Sequence, residues 1–96
     1  MKESQIEAHL VKRVKALGGE VRKVQWIGRR GAPDRLVMLP TSPHRHVWAA
    51  GTIWVELKAP GLKAETHQVR EHERMRCMGQ RVVVIDSIEA VEKLLA

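Results

Sequence analysis

Glu56 and Lys58 stand two residues apart in the stretch Gly51-Thr52-Ile53-Trp54-Val55-Glu56-Leu57-Lys58. Ile53, Val55 and Leu57 alternate there with Thr52, Trp54, Glu56 and Lys58, a period of two that predicts a strand over residues 51–58. Successive strand side chains point to opposite faces, so Glu56 and Lys58 share one face while the aliphatics enter the core. A lone Glu-x-Lys is by default a solvated surface pair. Here an earlier tetrapeptide, Gly31-Ala32-Pro33-Asp34, runs directly into a second apolar segment, Leu36-Val37-Met38-Leu39. Asp34 at one strand start and Glu56 with Lys58 on another strand suit phosphodiester hydrolysis. That reaction needs an activated water and a way to neutralise charge building on the phosphate and the leaving oxygen.

The elements that must position these residues are readable in chain order. Ser4-Gln5-Ile6-Glu7 has the form of a capping box, with Ser4 as N-cap. Ile6, Leu10, Val14 and Leu17 follow at helical spacing, and Gly18-Gly19 ends the helix. Glu7 has two roles open to it, as a helix cap or as a carboxylate reaching the reactive centre, and they are not exclusive. Lys12, Arg13 and Lys15 fall on the exposed side. A strand of imperfect alternation is predicted over residues 20–26. The turn Gly28-Arg29-Arg30-Gly31-Ala32-Pro33 comes next, where the arginine pair either holds a phosphate or is solvated. Residues 34–39 form a strand ended by Pro40.

Residues 40–50 are the longest irregular stretch. His44 and His46 read as exposed loop histidines without a third ligand nearby. Trp48 could pack on the domain, at a subunit contact, or against a base. After Ala59-Pro60-Gly61, a second helix is predicted over residues 64–78. Val69, His72, Met75 or Arg76, and Met78 mark its buried side, while Arg70, Glu71, Glu73 and Arg74 lie outside. His67 and His72 read as ordinary helical residues, and Cys77 as a small buried one. Residues 81–86 form an apolar strand suited to cover on both faces. Asp86 or Ser87 caps a last helix that packs through Ile88, Val91, Leu94 and Leu95.

The chain has 96 residues, enough for one small domain over residues 1–96, and 44% hydrophobic content argues against disorder. A domain of this size buries about 60–65% of its unfolded surface, and homo-oligomerisation is a common remedy. The formal charge is +6 and the pI about 10.1, which points to a polyanionic partner, most simply nucleic acid. Eight Lys or Arg stand against three acids in residues 1–30, so the basic excess lies there. A single cysteine excludes an intrachain disulfide and a cysteine-rich zinc site. With no signal peptide and no apolar run near the roughly 20 residues of a membrane span, an intracellular, cytoplasmic protein is expected.

Glu7, Gly31-Ala32-Pro33-Asp34, Glu56-Leu57-Lys58 and Gln68, taken in order, resemble the PD-(D/E)xK nuclease superfamily. The sequence is most similar to its VRR-NUC family, the virus-type replication–repair nucleases, in the short stand-alone form of phages and bacteria. The segment from Glu56 through Ala59-Pro60-Gly61 to Gln68, then Met78-Gly79-Gln80-Arg81-Val82 into Ile85-Asp86, resembles that family's second half. The resemblance implies an α/β fold with a restriction-endonuclease-like α-β-β-β-α-β core, here followed by a short C-terminal helix. It implies divalent-metal-dependent cleavage of DNA, with homodimers acting on branched DNA such as four-way junctions in replication, recombination or repair. It also places the protein in a bacterial or phage-infected cell.

On that reading Asp34, Glu56 and the Leu57 carbonyl hold Mg²⁺ or Mn²⁺, which suits an ion that keeps several waters. Lys58 orients or deprotonates the attacking water, Glu7 holds a metal-bound water, and Gln68 orients a water or phosphate. Arg29, Arg30, Lys12 and Arg13 meet DNA phosphates. Two alternatives stay open: a less selective DNA nickase or restriction-type nuclease, and a catalytically silent nucleic-acid-binding domain on the same fold.

Overall fold

The computed structural model describes residues 1–41 and 51–96. In chain order the elements are α1 (Glu3–Ala16), β1 (Glu20–Lys23), β2 (Arg35–Leu39), β3 (Gly51–Leu57), α2 (Thr66–Cys77), β4 (Val82–Ile85) and α3 (Ile88–Leu94). This is the expected α-β-β-β-α-β succession with a short closing helix. The expectations for His44, His46 and Trp48 lie outside the described residues.

The four strands form one sheet in the order β1-β2-β3-β4. β1, β2 and β3 pair antiparallel, while β4 joins β3 in parallel through the α2 crossover. One face of the sheet carries Val37 and Leu39 of β2, Ile53, Val55 and Leu57 of β3, and Ile85 of β4. Ile6, Leu10 and Val14, spaced four residues apart on α1, pack there and are fully buried. Val91 of α3 and Leu95 beside it complete that core. The outer surfaces of α1 and α3 are tied by Glu92, which accepts from His9 Nε2 at 2.7 Å and from Arg13 Nε at 2.9 Å. The second face is smaller, more polar and covered by α2, whose Met75 is buried with Glu71 and His72.

Local chemistry sets the ends of these elements, with some differences from the sequence expectation. Helix α1 begins two residues earlier than Ser4 as cap requires. Lys2 is the N-cap residue, and its backbone N–H donates to the Gln5 side chain at 2.6 Å. Glu7 is therefore not part of a cap, and its carboxylate is available elsewhere. At the C-terminus, Gly18 at φ +84° gives the left-handed turn that a side chain would strain. Ser87 caps α3 as expected, its Oγ accepting from the Ala90 N–H at 3.0 Å.

Helix α2 differs most. Val69 and Met78, expected on its buried side, are exposed, and Cys77 is exposed rather than buried. Glu71, expected outside, is buried. The face of α2 that turns inward lies over a polar part of the sheet, so it presents a carboxylate and an imidazole there.

Candidate active site

Strand register brings the two expected carboxylates together. Arg35 pairs with Val55, so Asp34, one residue earlier, falls opposite Glu56. The backbone carbonyl of Asp34 accepts from the Val24 N–H at 3.0 Å, extending the β1–β2 ladder to the same row. Asp34 is open to solvent, with 59% of its side chain exposed, whereas Glu56 is sunk against α2 with 11% exposed. Burial, followed by repulsion from Asp34, pushes the Glu56 carboxyl up from 4.5 to about 7. The attraction of Lys58 opposes this without cancelling it.

Lys58 follows on the same strand, and its backbone N–H continues the parallel ladder by donating to the Ile85 carbonyl at 2.9 Å. The half-buried Lys58 is thus fixed at its backbone one alternation beyond Glu56. Leu57, between them, belongs to the opposite, apolar face.

Glu7 reaches this centre through Arg35. Arg35 Nη2 donates to Glu7 Oε2 at 2.7 Å, and Nη1 lies 2.9 Å from Asp34 Oδ1. One largely buried guanidinium thereby links the helix α1 carboxylate to the strand carboxylate. Burial works against the Arg35 charge, but the hydrogen bond it donates to Glu7 and the charge of Asp34 prevail and raise its pKa above the ordinary arginine value. Arg35 was read from sequence only as a strand residue.

Gln68 lies in the first turn of α2. Its side-chain carbonyl accepts from the Glu65 backbone N–H at 2.8 Å, so that oxygen is spent on capping. The amide NH₂ remains chemically free to donate.

His72, one turn further along α2, is 1% exposed and stands behind Glu56, with Nε2 3.6 Å from Glu56 Oε1. Burial, then the charge of Arg76, lowers its pKa, so the ring is neutral near pH 7. No hydrogen bond to Nε2 is made among the described residues. The i, i+4 spacing of Gln68 and His72 was the available sequence signal for a shared inward face.

A polar groove of about 640 Å³ runs beside Asp34 and is lined by Lys23, Gln25, Trp26, Arg29 and Arg35 among others. Its wall is stiffened by Trp26, which donates from Nε1 to the Pro33 carbonyl at 2.8 Å and packs on Trp54 with ring centroids 5.1 Å apart. The sequence-predicted phosphate contacts divide between two regions. Arg29 lines the groove, and Arg30 follows it on the exposed turn. Lys12 and Arg13 lie on α1, roughly 8–9 Å along its axis from Glu7, with Arg13 engaged by Glu92.

The donor set suits a hard divalent cation. Burial, and then the like charge of Asp34 on the adjacent strand, hold Glu56 partly protonated at neutral pH, a conflict that a bound cation would relieve. Among the described residues no group of three or more His, Cys, Asp or Glu side chains converges, so a closed cage of the zinc type is not formed there. Two carboxylates with room for water instead match an ion that keeps much of its hydration. No described helix is long and apolar enough to cross a membrane.

No protein-family model matches the chain. It is 45% identical over 87 residues to "Putative nuclease p44" of Acyrthosiphon pisum secondary endosymbiont phage 1, a match covering 91% of this chain and 85% of that protein. A solved structure described as a VRR_NUC domain superposes with a TM-score of 0.79 at 41% identity, covering 99% of this chain and 95% of the other. Identity at this level over nearly the whole length of both shows shared ancestry as well as shared fold. The chain belongs to the VRR-NUC family.

Proposed function

We propose that this protein is a divalent-metal-dependent endodeoxyribonuclease that acts as a homodimer on branched DNA such as four-way junctions. The observation that carries this reading is the placement of Asp34 opposite Glu56 on neighbouring strands, with Lys58 next on the Glu56 face. A module that merely bound an anionic ligand would gain nothing from two facing carboxylates.

Asp34, Glu56 and the Leu57 carbonyl are the groups to hold Mg²⁺ or Mn²⁺. When bound, such an ion neutralises phosphate charge and makes water a stronger nucleophile. Lys58 orients the attacking water and offsets negative charge developing on the phosphate. Arg35 keeps Glu7 near Asp34, from where Glu7 can hold a further water. Gln68, its carbonyl committed to the helix cap, acts through its NH₂ on a water or phosphate oxygen. The net charge of +6 and the groove beside Asp34 favour a DNA backbone as the ligand.

One site of this kind cuts one strand, whereas resolving a four-way junction takes two symmetric cuts. A two-fold dimer supplies two sites of fixed spacing and opposite direction. The decisive experiment incubates the protein with labelled linear duplex, flap and four-way-junction DNA, with Mg²⁺, Mn²⁺ or EDTA. Metal-dependent paired nicks in the junction are expected. Equal cutting of linear duplex would replace the junction reading by a less selective nickase, and binding without cleavage under every metal would refute the enzyme.

A further inference from the structure

Glu71 is the most deeply buried carboxylate among the described residues, with 3% of its side chain exposed, and the chemistry above does not use it. It holds two arginines from different parts of the chain. Arg29 Nε donates to Oε2 at 3.0 Å, and Arg74 Nε donates to Oε1 at 3.1 Å. Burial alone would raise the Glu71 pKa, but the hydrogen bonds from Arg74 and Arg29 outweigh it and keep the carboxylate ionised. The arginines themselves stay open, with side chains 46% and 58% exposed. Both approach Glu71 through Nε, and their terminal nitrogens make no other hydrogen bond among the described residues.

We infer that Arg29 and Arg74 form a two-guanidinium fork for one DNA backbone phosphate, preset by Glu71, adjoining the groove that leads to Asp34. Tethering a loop to a helix does not call for a buried charge, whose desolvation costs several kcal/mol by general experience. Orienting two guanidinium planes does call for one. Glu71 fixes each arginine at Nε and leaves both Nη pairs to face a ligand, a geometry matched to phosphate oxygens. The trio carries one net positive charge, which balances one phosphate. Arg29 also lines the groove with Asp34, so a strand lying at Asp34 passes the fork. The loop packs closely against the first turn of α2. At Gly31, φ is +87°, and a Cβ there would come within 2.7 Å of the His67 carbonyl oxygen.

This inference rests on the DNA-cleaving reading, but its test needs no cleavage. Binding of a fluorescein-labelled four-way junction is measured by anisotropy in EDTA across a series of NaCl concentrations. Arg74→Ala, a substitution at an exposed site, should lower the slope of log affinity against log salt by about 0.9, the value for one lost phosphate contact. Glu71→Gln is the sharper case. It makes the protein more positive, so simple charge counting demands tighter binding, whereas loss of the fork predicts binding several-fold weaker. Arg74→Lys, which keeps the charge without the planar fork, should also weaken binding. An unchanged slope for Arg74→Ala, or tighter binding by folded Glu71→Gln, overturns the fork while leaving cleavage at Asp34 and Glu56 untouched. Absence of any DNA cleavage with Mg²⁺ or Mn²⁺ would overturn the enzyme while leaving these binding slopes to be read.

Discussion

Replacing Glu56 by Gln should make the metal-free protein more stable at pH 8, although it removes a residue assigned to the reaction. Glu56 titrates near 7 in the folded protein because burial and then Asp34 disfavour its charge, against 4.5 as its ordinary value. The folded state therefore binds this proton more tightly than the unfolded chain does. Between about pH 4.5 and 7 the folded state carries more protons, so stability falls as pH rises through that window and stays reduced above it. A gap of this size corresponds to about 3 kcal/mol at most, and relaxation of the site leaves about 1–3 kcal/mol. Gln has nearly the shape of the protonated acid and carries no charge, so the loss should vanish in the variant. Each kcal/mol moves Tm by about 4–8 °C in a domain of this size. Thermal unfolding followed by circular dichroism in EDTA, from pH 4.5 to 8.5, measures this directly. Glu56→Gln should melt well above the parent at pH 8 and near it at pH 4.5. Adding Mn²⁺ should stabilise the parent but not the variant, narrowing or inverting the difference. A Glu56→Gln protein equal to or below the parent at pH 8, or a difference independent of pH, would refute the account of a strained carboxylate pair.

Other outcomes follow from the same geometry. Lys58→Ala should abolish cleavage yet keep folding and Mn²⁺ binding, and near-normal rates would remove Lys58 from the mechanism. Asp34→Asn should lose metal affinity together with activity, which calorimetric titration with Mn²⁺ checks. Glu7→Gln should act oppositely to Glu56→Gln and destabilise by about 1–2 kcal/mol, because the buried Arg35 loses a charged acceptor; urea unfolding reads the difference. Light scattering at micromolar concentration should give the mass of two chains, and a mass of one chain would sink the dimer.

Much of the fold was legible because it rests on local periodicity. The alternation Ile53, Val55, Leu57 fixed both a strand and its buried face, and it placed Glu56 and Lys58 together on the other. The four-residue spacing of Ile6, Leu10 and Val14 likewise named the buried stripe of α1. The order of motifs around Asp34 and Glu56 was enough to suggest the family that the comparisons bear out. What sequence could not supply was which groups meet across the chain. Asp34 faces Glu56 by virtue of β2–β3 register, and Glu7 was open to a capping role until Lys2 took the cap and Arg35 took the carboxylate. Helix α2 shows the limit best. The periodicity placed His72 and Met75 inward as the structure has them, but it assigned the buried Glu71 to solvent, whereas the exposed Val69 and Met78 looked like core. Hydrophobic period reports burial only where the partner surface is apolar. Over a site built from charges, a helix buries the charges that match it, and that match exists only once strand β3 and the Arg29 loop are in place beneath it.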